Sequence, residues 1–323
     1  MYKLSVIIPV YNAQSSIRKC IKSIEDQHVT FDFEIIAVND GSTDNSRNVL
    51  QQLAVTYPNI VLVQQANLKQ AAARNNGLIH ASGKYVMFVD SDDYILPGMF
   101  QAMITRMDAG DDLVVCGIQK TYSDHTEIEN ISALVNEPTR DALLCNYLTR
   151  NQEFDVGVWG KAFRMKLIQA NNLSFKNKNF FEDSFFVLQY MAFCNFERIE
   201  HINNAFYVLI KQSGTTTGTL RPEITALAQD YIREVSDFLK QRGVYYPIKY
   251  QIGFKKRILI HLVHHHLKYD MKWSWVYQRD YLKHTNINVS NLGGMSTMPI
   301  KYSLAYLMIK YVPALYSKLY LKK

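Results

Sequence analysis

The sequence predicts an α/β protein: a mostly parallel, doubly covered sheet with flanking helices, followed by a helical C-terminal region. Three observations carry that prediction. Apolar runs alternate with helix-period segments between residues 4 and 90, the pattern of strand–helix–strand units with right-handed crossovers. The runs are nearly continuous, as expected for strands buried on both faces. Each of three runs also ends in a polar cluster, and open parallel sheets bind ligands at the carboxyl ends of their strands.

The elements follow in order. "LSVIIPV" (4–10) reads as the first strand, and Ile17, Cys20, Ile21 and Ile24 mark a helix within 15–27. "FEIIAVND" (33–40) is a second strand, followed by "GSTDNS" and a helix through Leu50 and Leu53. "IVLVQQ" (60–65) is a third strand, "QAAARNNGLIHA" (70–81) a helix with Gly77 inside it, and "KYVMFVD" (84–90) a fourth strand. After Asp111 come a strand over 112–122, a helix over 139–149 and an irregular stretch, "VGVWGKAFR" (156–164). Next are an apolar helix opened by Glu182 and Asp183 in "NFFEDSFFVLQYMAF" (179–193), then a strand running into a Gly/Thr loop over 205–218. Beyond 221 the pattern is mainly helical, with a break at 288–299. We expect a catalytic domain over 1–220, divided at about residue 110, and a helical basic region over 221–323.

Composition narrows the class. The chain has 323 residues, 48% hydrophobic and 20% charged, enough for a sizeable core and unlike a disordered chain. "MYKLSVIIPVYN" reads as a first strand, not a signal peptide. Cys20, Cys116, Cys145 and Cys194 stand far apart, which suits reduced cytosolic thiols and argues against a zinc site or a disulfide framework. The net charge of +7 is uneven: from Arg242 onward 14 Lys and Arg face two acids, a net +12, leaving −5 for residues 1–241. That polarity points to an anionic surface as partner, not to nucleic acid.

The polar strand ends carry the chemistry. Neither a G-x-G-x-x-G turn nor a G-x-x-x-x-G-K-[ST] loop follows the first strand, which excludes a dinucleotide oxidoreductase and a P-loop NTPase. A sugar-1-phosphate nucleotidyltransferase fails on the same missing glycines. In "MFVDSDDYI" (87–95), Asp90, Asp92 and Asp93 fall within four positions, where like charges repel unless a cation joins them. Mg²⁺ or Mn²⁺ typically bridges one or two carboxylates to substrate phosphates, and Asp90 and Asp92 have the spacing for it. The competing reading is an N-cap, with Asp92 or Asp93 capping a helix near Pro97.

"SVIIPVYNAQSSIRKCIKSI", "EIIAVNDGSTDNS" and "AAARNNGLIHASGKYVMFVDSDD" together resemble the N-terminal half of family 2 inverting glycosyltransferases, which have the GT-A fold. The likeness is dense over residues 3–110 and looser to about 220, where "VWGKAFR" and "FFEDSFF" resemble acceptor-side segments. It is strongest to bacterial enzymes of capsule, exopolysaccharide or wall teichoic acid synthesis. The resemblance implies a UDP-sugar donor, a divalent metal, and a glycan, lipid-linked or polyol-phosphate acceptor. Residue by residue, it implies that Pro9 and Tyr11 hold the uracil and that Asp40 accepts from its N3–H. Arg74 would lie near the phosphates or donor sugar. Asp90 and Ser91 would contact the ribose or sugar, and Asp92, with Asp90, would ligate the metal.

The resemblance makes Asp183 the general base that deprotonates the acceptor hydroxyl, with Glu182 as its helper; adjacent carboxylates raise one another's pKa, which suits a base. Plainer readings stand beside these. Tyr11 could be packing, Asp40 a turn former, Arg74 a solvated helix residue, and the two acids a charge-matched helix start. Trp159 is either an acceptor platform or a core residue. His261 and His265 have metal spacing but lack a nearby carboxylate or cysteine, and read as a basic polar face. Lys211 and Ser213 fall where the family places a donor-side loop. A GT-A domain that binds carbohydrate without turnover is the non-enzymatic alternative; a processive synthase would need membrane-spanning helices and a Q-x-x-R-W segment, and the sequence shows neither.

Residues 301–323 hold five lysines, five tyrosines and no acid. They are too short and interrupted to span a bilayer and suit an amphipathic segment at an anionic membrane. The lysines fall on no single face, so the alternative is a helix packed on the domain or a homodimer interface.

Overall fold

Residues 4–88 form the succession that the pattern requires: β1 (Leu4–Val10), α1 (Ile17–Glu25), β2 (Phe33–Asp40), α2 (Ser46–Thr56), β3 (Ile60–Gln65), α3 (Lys69–His80) and β4 (Tyr85–Phe88). The protein is represented by a computed structural model that describes residues 2–132, 134–176, 181–211, 221–287, 289 and 293–321. β1 pairs in parallel with β2 and β4, and β2 with β3. Every residue of β1 is buried, which is why its run is apolar throughout instead of alternating. Gly77 is explained by the same layer. A Cβ there would come 2.4 Å from Ile7 Cγ2, so the missing side chain lets α3 lie close on β1.

The chain continues through β5 (Tyr94–Ile95), α4 (Met99–Ala109), β6 (Leu113–Thr121), β7 (Thr126–Glu129), α5 (Arg140–Arg150), α6 (Glu153–Val156), β8 (Lys161–Arg164), α7 (Met165–Ala170), α8 (Glu182–Phe193) and β9 (Ile199–Ile210). Among the described residues the sheet order is β3-β2-β1-β4-β8-β6-β9-β5, with β7 beside β6. β8 enters antiparallel between β4 and β6. It lies inside the "VGVWGKAFR" stretch, whose period is too short to announce a strand. Phe88, Phe163, Phe175 and Phe186 interlock under this part of the sheet, with Phe175 and Phe186 stacked at 4.1 Å. That cluster fixes the start of α8.

Two compact units result, Met1–Val135 with Gln152–Gln212, and Asn136–Asn151 with Ser213–Lys323, so α5 belongs with the later helices. The second unit holds α9 (Ile224–Gln241), α10 (Ile248–Tyr269), α11 (Trp275–His284), α12 (Ile300–Tyr311) and α13 (Pro313–Leu321). The Arg257 guanidinium on α10 donates to the carbonyls of Thr149 and Asn151 and to the Asn151 side chain, joining α10 to the end of α5. Of the polar face expected on α10, His261 is exposed and His265 half-buried, while the neighbouring histidines pack against aromatic rings. His264 stacks on Tyr316 and Tyr320, His265 accepts from the Arg221 N–H, and His266 stacks on Trp273 at 4.2 Å. Aromatic side chains of α13 and of the segment before α11 cover the His264 and His266 rings. No helix among the described residues is long and apolar enough to cross a membrane. All four cysteines are free and buried.

Candidate active site

The sheet turns back on itself between β1 and β4: the chain steps from β1 out to β3 and returns on the other side. A crevice outside the carboxyl ends of the strands forms at such a point, and the loops of all three polar clusters rim it. Those after β1 and β2 are laced together. Asn12 Oδ1 accepts from the Thr43 N–H at 2.8 Å, the Asn12 N–H donates to Ser42 Oγ, and the Ala13 N–H donates to Ser46 Oγ. Asn12 takes a left-handed conformation, φ 51°, which asparagine tolerates, and so presents the neighbouring Tyr11 outward at 42% exposure. Pro9 is buried in β1 opposite Val38. Asp40, at the end of β2, is buried, and its Oδ1 accepts from Gln65 Nε2 at 2.7 Å and from the Leu68 N–H at 2.8 Å.

Arg74 is the centre of the site. Its side chain has no exposed surface. One terminal nitrogen donates to Asp90 Oδ1 at 2.9 Å, and the other donates to Asp183 Oδ1. Thus a single guanidinium joins the end of β4 to the start of α8, residues 109 positions apart from it in sequence in the second case. Gln70, one turn earlier on α3, also donates to Asp90 Oδ1. The Arg74 plane lies over the Phe175 ring at 5.4 Å, while its Nε is buried without a partner among the described residues. The resemblance put Arg74 near phosphate. In the structure its terminal nitrogens are committed to two carboxylates, so it acts on a ligand through them.

Asp183 keeps about a quarter of its side-chain surface open, 24%. Burial raises its carboxyl well above the ordinary range; the Arg74 charge opposes that rise, and Glu182 and Asp90 add to it. Arg74 itself is held more firmly protonated by the same acids, despite its burial. Three carboxylates share one cation, so the arginine cannot neutralise them all. Phe181, just before α8, has φ 52°, a strained conformation for a bulky residue, and it delivers Glu182 and Asp183 into the first turn.

Asp93 is not a helix cap. α4 begins at Met99 after a left-handed Gly98. Asp93 instead accepts from the Tyr207 hydroxyl at 2.7 Å and from the Ile210 N–H at 2.8 Å. The Tyr207 oxygen also accepts from the Asp90 N–H, tying β9 to this loop. Burial, then Asp90 and Asp92, pushes the Asp93 carboxyl up. Asp92 is exposed on its loop, and Ser91 is half-buried beside it. Partial loss of water and the Asp90 charge raise the Asp92 carboxyl too.

This donor set suits a cation completed by substrate oxygens. Asp93 has both oxygens engaged and Asp90 one of them, which leaves Asp92 and the other Asp90 oxygen. No group of three or more His, Cys, Asp or Glu among the described residues could hold a metal alone. Mg²⁺ and Mn²⁺ accept such a two-carboxylate site when a diphosphate supplies the rest.

Trp159 is buried, 7% exposed, and stacks on Tyr207 at 5.5 Å. Most of its ring therefore faces protein. Lys161 is also buried. Its ammonium donates to the Phe154 and Gly157 carbonyls, and burial pushes it down to about 8. Lys211 pairs with Glu153, and Ser213 lies outside the described residues. Gln70 could have been read from the sequence, being four residues before Arg74 on one helical face. Tyr207 could not, because nothing local marks a tyrosine whose partners lie 114 residues away.

Fold and site together define a GT-A glycosyltransferase-type domain. The family model for glycosyl transferase family 2 matches residues 5–193, and the chain belongs to that family. It is 37% identical over 182 residues to the Escherichia coli glycosyltransferase YibD, covering 54% of this chain and 52% of YibD. It is 28% identical to the Staphylococcus epidermidis teichoic acid poly(glycerol phosphate) polymerase, covering 75% of this chain but 33% of the polymerase. The chain thus spans about half or less of these relatives. The crystal structure of S. aureus TarS 1-349 in complex with UDP-GlcNAc shares the fold at a TM-score of 0.65 and 19% identity, over 98% of this chain and 89% of that one.

Proposed function

We propose that this chain transfers a sugar, with inversion, from a UDP-sugar to a hydroxyl of a glycan, lipid-linked or polyol-phosphate acceptor in bacterial surface polymer synthesis. The observation that carries this reading is the Arg74 bridge between Asp90 and Asp183. Inverting transfer needs a leaving diphosphate and a base on opposite sides of one anomeric carbon, and the bridge fixes the two acids relative to each other. Asp183 takes the acceptor proton as the hydroxyl oxygen bonds to that carbon. The bond from carbon to diphosphate breaks, and UDP leaves. Burial keeps Asp183 basic enough for this despite its arginine contact. Glu182 adds negative charge beside it, stabilising the protonated form.

Tyr11 and Asp40 would hold the uracil, with Pro9 shaping the backbone beneath it and Ser91 near the ribose. Asp90 and Asp92 would hold Mn²⁺ or Mg²⁺ together with the diphosphate; the bound ion supplies positive charge to the leaving group. The UDP-GlcNAc of the TarS complex and the polymer named for the staphylococcal relative support the donor and acceptor classes. The test is a panel of UDP-sugars incubated with poly(glycerol phosphate) and Mn²⁺, with the product anomer read by NMR. One donor should transfer with inverted configuration, and Asp92→Ala should lose metal-dependent UDP affinity in titration calorimetry. Retained configuration, or UDP affinity indifferent to chelator, would overturn the respective assignment.

A further inference from the structure

We infer that α12 and α13 present a built docking face for an anionic lipid surface. This goes beyond the proposed reaction and needs neither donor nor acceptor. The sequence alone scatters the lysines of this segment, but the packing sorts them. At about 100° per residue, Ile300, Leu304, Leu307 and Tyr311 fall within about 60° of one another. Ile300, Leu304 and Tyr311 are 78%, 55% and 58% exposed. Lys301 and Lys310 lie about 90° to either side of that stripe by the same spacing. Tyr306 and Ile309, on the far side, are buried, with Lys256 over the Tyr306 ring and Arg257 over that of Tyr302. α13 repeats the arrangement. Leu315 and Leu319 are exposed with Lys318 beside them, while Tyr316 and Tyr320 pack against His264.

Each helix is thus anchored on one face and open on the other, with lysines at the border of an apolar stripe. A lipid surface fits: apolar side chains enter the headgroup boundary while lysines meet anionic headgroups. A second copy of the chain fits poorly. Asp280 is the last acid in the sequence, so a two-fold contact through this face would oppose lysine to lysine.

The test is co-sedimentation of the full chain with phosphatidylcholine vesicles, with and without phosphatidylglycerol, at low and high salt. The wild-type chain should sediment with the anionic vesicles and be released by salt. L304E/L315E should bind at least tenfold more weakly with an unchanged melting temperature. K301Q/K310Q/K318Q should lose on the order of 10²-fold on anionic vesicles only. The inference is overturned if the wild type stays in the supernatant with both vesicles, or if both variants bind as the wild type does. It is equally overturned if the lipid-free chain forms a dimer that L304E/L315E dissolves, which would make the face a self-interface. None of these outcomes depends on sugar transfer, so this inference and the proposed reaction fail separately.

Discussion

The strand-end site and the C-terminal helices use charge in opposite ways. Around α3, charged groups are buried and mutually committed: Arg74 holds Asp90 and Asp183, and Glu34 accepts from Ser5 and Ser82 within the sheet. On α12 and α13 no carboxylate is present, and lysines border exposed leucines and isoleucine. The difference teaches where a single substitution should matter. A buried charge is held by a few specific partners, so losing one leaves another unpaired in a dry place. Surface lysines act by their sum, and each is replaceable.

The comparison can be broken at four points, in descending size. Asp183→Asn should lower transfer by about 10²-fold or more while UDP affinity, measured on the same preparation, stays nearly unchanged. Near-normal transfer would move the base elsewhere. Arg74→Ala should cost about 3–5 kcal/mol of stability in denaturant unfolding, since it strands two carboxylates. Arg74→Lys should recover only part of that, because a point charge cannot reach both acids as a fork does. A loss below about 1 kcal/mol would mean the bridge is not maintained in solution.

Gly77→Ala should destabilise by about 1–2 kcal/mol although alanine is the better helix former, because its methyl would overlap Ile7. A stabilised variant would show that α3 can shift away from β1. Leu304→Glu should change stability by no more than about 0.5 kcal/mol, as expected for an exposed position. A larger loss would mean that α12 is covered on this side.

Legibility in the sequence followed the same division. β1, β2 and β3 fall on the residues their apolar runs marked, because strands buried on both faces leave an uninterrupted signal. β5 and β7 have two and four residues, too few for any period to register. Asp90 and Asp183 could be named from local motifs, but their connection through Arg74 could not, since helix spacing says nothing about partners a hundred residues away. Asp93 misled because an acid before Pro-Gly resembles a cap; the hydroxyl of Tyr207 decided otherwise. On α10 the reading of a polar face fits the exposed His261, but it missed His264 and His266, which aromatics from α13 and the segment before α11 cover.

The central claim is that Asp183, held by Arg74 and raised by burial, is the base of the reaction. It is tested most directly by the pH dependence of kcat/KM for transfer. A raised carboxyl keeps its proton to higher pH, so the base is competent only above that value. Stability linked to the protonated form is complete below the ordinary carboxylate pKa and lost as pH rises through the raised one. The account predicts one acid limb in the wild type, lying well above the ordinary aspartate value of about 3.9, and no such limb in Asp183→Asn. An acid limb that persists at the same pH in Asp183→Asn would contradict it.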